Sequence, residues 1–209
     1  MEKFKYKNHH DTLKNWASER FADISISCRF VILYTAACLL GICIENNADY
    51  SLNNIIHGYF SSFNFNNVIE FIKSVCFSSS FEFFVLLTAV GSALTFFCSA
   101  FLHFSCVVCG MTYGICLGAL TSDIVQKQGR FVWLYIFSVI AFGLIYSVSA
   151  SFILNVNKQF ISAKRSNEFS KVFVSPIFKR YLIICLKIIV SFILVRILYV
   201  SALSIANII

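Results

Sequence analysis

Hydrophobic positions fall in long blocks separated by short polar breaks, and the blocks are too long and too apolar for an ordinary buried core. The first runs from Ile26 to Ile44, with Arg29 near its start. The second runs from Phe81 to Ser122, with Glu82 and His103 as its strongly polar side chains. It would be about 60 Å long as one helix, roughly twice a bilayer core, so it is divided near His103 into two helices joined by a tight turn. Phe131 to Leu154 and Tyr181 to Asn207 supply a fourth and a fifth block, the last interrupted by Lys187 and Arg196. The expectation is an all-α, polytopic membrane helix bundle of about five transmembrane helices with amphipathic interfacial helices beside them.

Two stretches outside these blocks show helical periodicity. Leu13, Trp16, Ala17, Phe21 and Ile24 form an apolar stripe beside Lys14, Glu19 and Arg20, as in a helix lying on a membrane surface. Leu52, Ile55, Ile56, Tyr59, Phe60 and Phe63 follow i, i+3, i+4, i+7, i+8, i+11, and Val68, Phe71, Ile72 and Val75 repeat the pattern after Asn64–Asn67. The domain layout is then a basic amphipathic segment over 1–25 and one transmembrane domain over 26–207. Within that domain lie an external amphipathic segment, 45–80, and a cytoplasmic basic linker, 155–180. The external segment reads as a connector resting on lipid or as a docking surface for an extracytoplasmic partner, with Tyr59, Phe60 and Phe63 as its contact residues.

Composition agrees with a membrane protein: 58% of the 209 residues are hydrophobic and 13% charged, where soluble domains carry about a quarter. The charged first 23 positions, with no small-residue cleavage site after the first block, indicate a retained anchor. The net charge of +7 sits beside the apolar blocks, which points to topology and lipid contact and away from nucleic acid. Lys3, Lys5, Lys7, Lys14, Arg20 and Arg29 precede or open the first span. Lys158, Lys164, Arg165, Lys171, Lys179 and Arg180 lie between the fourth and fifth. Two crossings by Phe81–Ser122 put both clusters on one side, as the positive-inside rule requires. The expected placement is a multi-pass protein of the bacterial cell membrane, with the N-terminus cytoplasmic and the C-terminus external.

Candidate chemistry is sparse. Arg196 lies near the middle of the fifth span, where a guanidinium is costly unless it pairs or reaches the headgroups. Its partner would be a carboxylate of another subunit or Glu82; snorkelling to the outer headgroups is the alternative. Cys106-Val-Val-Cys109 has CxxC spacing, but His103 is the one nearby additional ligand and there is no second CxxC, so packing thiols are expected and no metal site. Cysteine in the spans behaves as a small apolar residue. Nucleophile elbows, zinc-protease helices, phosphate loops and dinucleotide fingerprints are lacking, so no catalytic residue and no cofactor are assigned.

Gly110, Gly114 and Gly118 recur every four residues and lie on one stripe of a helix, the pattern that lets two membrane helices approach closely. Their expected partner is the preceding helix, tethered by the turn and carrying Gly91, Ser92, Ala93, Ser99 and Ala100. The stretch Cys109-Gly-Met-Thr-Tyr-Gly-Ile-Cys-Leu-Gly118, with Gly91-Ser-Ala-Leu before it, resembles the stage II sporulation protein M family. The general layout of that family, a basic start, one span, a long external segment and a tight helical pair, extends the likeness over residues 30–206. Phe131–Ser138 has neither the proline nor the polar motif that the family often carries there. The resemblance implies a non-enzymatic membrane scaffold or assembly subunit whose partners include peptidoglycan hydrolases. The alternative is a small transporter component, such as the substrate-binding membrane subunit of a vitamin importer.

Overall fold

The computed structural model describes residues 2–47, 67–122, 129–165 and 176–208, with side chains over 24–47, 67–120, 132–162, 178–179 and 181–205. The described residues form five helices and no strand: α1 (Glu2–Asn46), α2 (Val68–Ser92), α3 (Cys98–Ser122), α4 (Gly129–Arg165) and α5 (Pro176–Ile208). Each contains a stretch long and apolar enough to cross a membrane: Ile24–Asn46, Val68–Ser92, Cys98–Leu120, Val132–Ser162 and Tyr181–Ile205. The protein is an all-α, multi-pass membrane bundle.

The long second block does divide, but at Ala93–Phe97, six to ten positions before His103. Ala93, Leu94 and Thr95 donate their amides three residues back, to Val90, Gly91 and Ser92, which tightens the chain out of α-helix. The Thr95 hydroxyl also bonds Ser92 O at 2.8 Å, and Ser92 bonds Ala89 O at 2.7 Å, so the local serine and threonine capture the helix-ending carbonyls. His103 is instead inside α3, where its Nδ1–H donates to Ser99 O at 2.7 Å and its ring lies 4.8 Å from Phe30. An imidazole satisfied by its own helix interrupts nothing.

Other boundaries also move. Val68, Phe71, Ile72 and Val75 open the membrane-length α2 and do not form a separate surface helix. No breaker separates them from Ser92, because Ser78 and Ser80 bond back to Val75 O and Phe77 O of the same helix. The stripe from Leu13 to Ile24 is continuous with the first span in one 45-residue helix. The supposed linker is helical to Arg165, and Pro176 begins α5, at the position where a missing amide costs no bond. Leu52, Ile55, Ile56, Tyr59, Phe60 and Phe63 lie outside the described residues.

α4 is the central helix: 56% of its spanning window is buried, against 22–39% for the others. Phe142, Tyr146, Ala150 and Ile153 carry its core face, while Trp133, Phe137, Ile140 and Val148 point outward. The closest helix pair is α1 with α3, and these run parallel: Tyr34 and Ala37 meet Gly110, Cys38 meets Gly114, and Ile42 and Glu45 meet Gly118. The start of α1's span and the α2–α3 turn therefore lie at one end of the bundle, and the last turns of α4 and first turns of α5 join them there, Asn157 bonding Ala93 O and Tyr181 bonding Val90 O.

Candidate functional site

Glu82 on α2, Tyr113 on α3, Ser138 on α4 and Arg196 on α5 converge inside the bundle. Glu82 is ten residues from the end of α2, and Arg196 is fifteen past the start of its span, at about 15 and 22 Å of helix. The cluster thus stands well inside the apolar layer. Arg196 donates through Nη2 to Glu82 Oε1 and to Tyr113 Oη, the latter at 2.7 Å, and through Nη1 to Ser138 Oγ at 3.1 Å. The Tyr113 hydroxyl donates in turn to Glu82 Oε1. Arg196 is 3% exposed and Glu82 6%, so the pair is closed off from both water and lipid.

Burial of two charges is tolerated when each finds the other and further hydrogen bonds satisfy what remains. Here the guanidinium also lies 5.6 Å from the Phe192 and Tyr199 ring centroids, whose π-faces stabilise a cation. Tyr113 is held by ring contacts to Tyr34, Tyr135 and Phe142 at 6.3, 6.0 and 5.5 Å. One carboxylate oxygen, Glu82 Oε2, has no hydrogen-bond partner among the described residues although it is buried. The arrangement joins four helices through one ion pair.

The glycine stripe lies on another face. A Cβ at Gly110 would stand 2.7 Å from both Ala37 Cβ and Tyr34 O. At Gly114 it would run into the Cys38 carbonyl, and at Gly118 it would stand 2.9 Å from Glu45 Cβ. The stripe therefore packs against α1, not against the preceding helix. Gly41 reciprocates, with a Cβ there meeting Met111 O and, at 2.9 Å, Gly114 Cα. Gly91 has no such role: it is exposed, and a Cβ there would meet nothing within 4 Å. Tethering by a short turn does not decide which helix faces align; the matching small residues Ala37 and Gly41 of α1 do.

Cys106 and Cys109 are fully buried, Cys106 with its thiol 3.6 Å from Phe30 O. Among the described residues no three His, Cys, Asp or Glu side chains gather as a metal would require.

Four contributors escaped sequence reasoning. Tyr113 and Ser138 are ordinary apolar-block residues in sequence, and nothing local marks them as ligands of Arg196. Asn157 lay in the supposed linker, yet its Nδ2 donates to Ala93 O at 2.7 Å and Thr95 O at 2.8 Å, closing the α2–α3 turn from α4. Gly41 had a usable signal, the Ala37-xxx-Gly41 spacing, which complements the α3 stripe. Tyr59, Phe60 and Phe63 lie outside the described residues. Compared with family models, with curated proteins and with solved structures, the chain matches none.

Proposed function

We propose that the chain is a non-enzymatic membrane scaffold that organises partner proteins, cell-wall hydrolases among them, in a bacterial cell membrane with its basic end cytoplasmic. The observation that carries this reading is the internal use of the bundle's polar groups. Arg196, Glu82, Tyr113 and Ser138 form one hydrogen-bonded cluster, and Gly110, Gly114 and Gly118 are occupied by α1. Side chains committed to holding helices together suit a rigid platform better than a site for turnover. The resemblance of Cys109–Gly118 to the sporulation family supports the same reading.

Affinity purification of the full chain from its own membranes in mild detergent tests it. Recovery of cell-wall hydrolases or other division or sporulation proteins is the expected result. An ATPase pair or a bound vitamin would replace the scaffold with the transporter component. That second reading draws on Glu82 Oε2, a buried carboxylate oxygen deep in the membrane with no protein donor described, since transporters place polar groups at that depth.

A further inference from the structure

Outside the bundle, α4 and α5 leave a trough of about 310 Å³, walled by Leu144, Ile145 and Val148 on one side and by Ile184, Lys187 and Ile188 on the other. Ser191 closes the end farther from the basic junction. The α5 wall runs from Ile184 to Ser191, so the trough follows the helix axes for roughly 10 Å, the direction in which lipid chains lie. Lys187 is the one charged side chain in a lining that is otherwise aliphatic apart from Ser149, whose hydroxyl bonds back to Ile145 O, and Ser191. It is exposed, and no carboxylate pairs with it among the described residues.

Lys187 is six residues inside Tyr181, about 9 Å from that end of the span, within reach of headgroup depth for an extended lysine. The charge of the stretch that links α4 to α5 is one-sided. Lys158 and Lys179 are exposed there, and the sequence adds Lys164, Arg165, Lys171 and Arg180, with Glu168 the one acidic residue from 155 to 180. An apolar trough opening at hydrocarbon depth and leading to a run of cations matches a molecule with an acyl chain and an acidic headgroup.

We propose that the α4–α5 trough seats an acyl chain of an anionic phospholipid, with Lys187 and the basic helix ends meeting its phosphate. The site is independent of the Glu82–Arg196 pair and of the scaffold reading. Its occupant is a lipid of the surrounding leaflet, not a helix of a partner, because an apolar channel ending at headgroup depth beside a cluster of cations complements an acyl chain carrying an acidic headgroup.

Native mass spectrometry of the detergent-purified full chain, titrated with phosphatidylglycerol or phosphatidylcholine of identical acyl chains, tests the site. Phosphatidylglycerol is expected to be retained several-fold better. Lys187→Gln should lower its retention about fivefold, the effect of one basic residue near a charged headgroup. Lys73→Gln, on α2 near the opposite end, should leave retention unchanged. Ser191→Trp and Leu144→Trp, which fill the trough from either helix, should reduce retention of both lipids while leaving the melting temperature near the parent's. Equal retention of the two lipids, or full retention by Lys187→Gln, overturns the assignment of the headgroup. Undiminished binding in both tryptophan variants overturns the trough as the seat of the chain.

Discussion

Arg196 of α5 donates to Glu82 of α2 although 114 positions separate them, and this pair closes the bundle across its second and last helices. Removing one partner leaves the other charge buried without compensation. Arg196→Leu should therefore destabilise the protein by about 3–5 kcal/mol, and Glu82→Gln should weaken it similarly by stranding the guanidinium. The double variant Glu82→Gln/Arg196→Leu should be more stable than Arg196→Leu alone, because neither charge then remains. Unfolding by SDS in mixed micelles measures all three. A double variant whose loss equals the sum of the single losses would show that the two residues do not act as a pair.

Tyr113 touches both members of that pair, but as a neutral donor. Interhelical hydrogen bonds in membrane proteins contribute modestly, so Tyr113→Phe should cost about 0.6–1.7 kcal/mol in the same assay. A loss as large as that of Arg196→Leu would mean that Tyr113 also sets the position of the carboxylate.

The two kinds of glycine on α2 and α3 should separate cleanly under substitution. Gly114→Leu forces bulk against the Cys38 carbonyl and should part α1 from α3, costing at least the 1–3 kcal/mol typical of overpacking. Gly91→Leu adds a side chain where there is open space and should shift stability by no more than about 0.5 kcal/mol. Melting in detergent distinguishes them, and comparable destabilisation by the two would refute the close contact with α1.

Asn157→Ala removes two donors from the α2–α3 turn, leaving the carbonyls of Ala93 and Thr95 without them. The expected loss is about 1–3 kcal/mol, with faster hydrogen exchange concentrated around residues 93–97. Uniform exchange across all helices would instead indicate a global effect and no specific fastening of the turn.

The number of helices was legible because twenty-residue apolar blocks have few alternatives in a membrane, and the tally of lysines and arginines favoured two helices over one in Phe81–Ser122, the division that the structure has. Helix ends were less legible. His103 looked like a break because it is polar, whereas Gly91, Ser92 and Thr95 are small and compatible with an apolar block. Their effect depends on carbonyl competition and on Asn157 arriving from another helix. The Arg196–Glu82 pairing could be named as one option since both charges are rare in the blocks. Its geometry could not, because it depends on the relative height of α2 and α5, which no local pattern encodes. The glycine stripe announced a close contact, but the partner followed from complementary small residues on α1 and not from chain proximity.

Parallel packing of α1 on α3 makes a topological prediction that side-chain chemistry alone does not. If both helices rise in the same direction, the chain must descend once between them, through α2. The five spans then alternate, and the basic stretches before Ile24 and between α4 and α5 share a side. Reporters fused after Lys14 and inserted after Lys171 should both be active on the cytoplasmic side, as the excess of lysine and arginine in those stretches directs. Reporters inserted after Asn53 and after Lys127 should both be active on the outer side, and a tag after Ile209 should join them. The contact of Gly114 with Cys38 supplies the geometric half of this expectation and the charges the directional half, so the two can fail separately. Residues 53 and 127 on opposite sides would overturn the parallel pairing. The same alternation with every side reversed would leave the bundle intact and refute the assignment of the basic end to the cytoplasm.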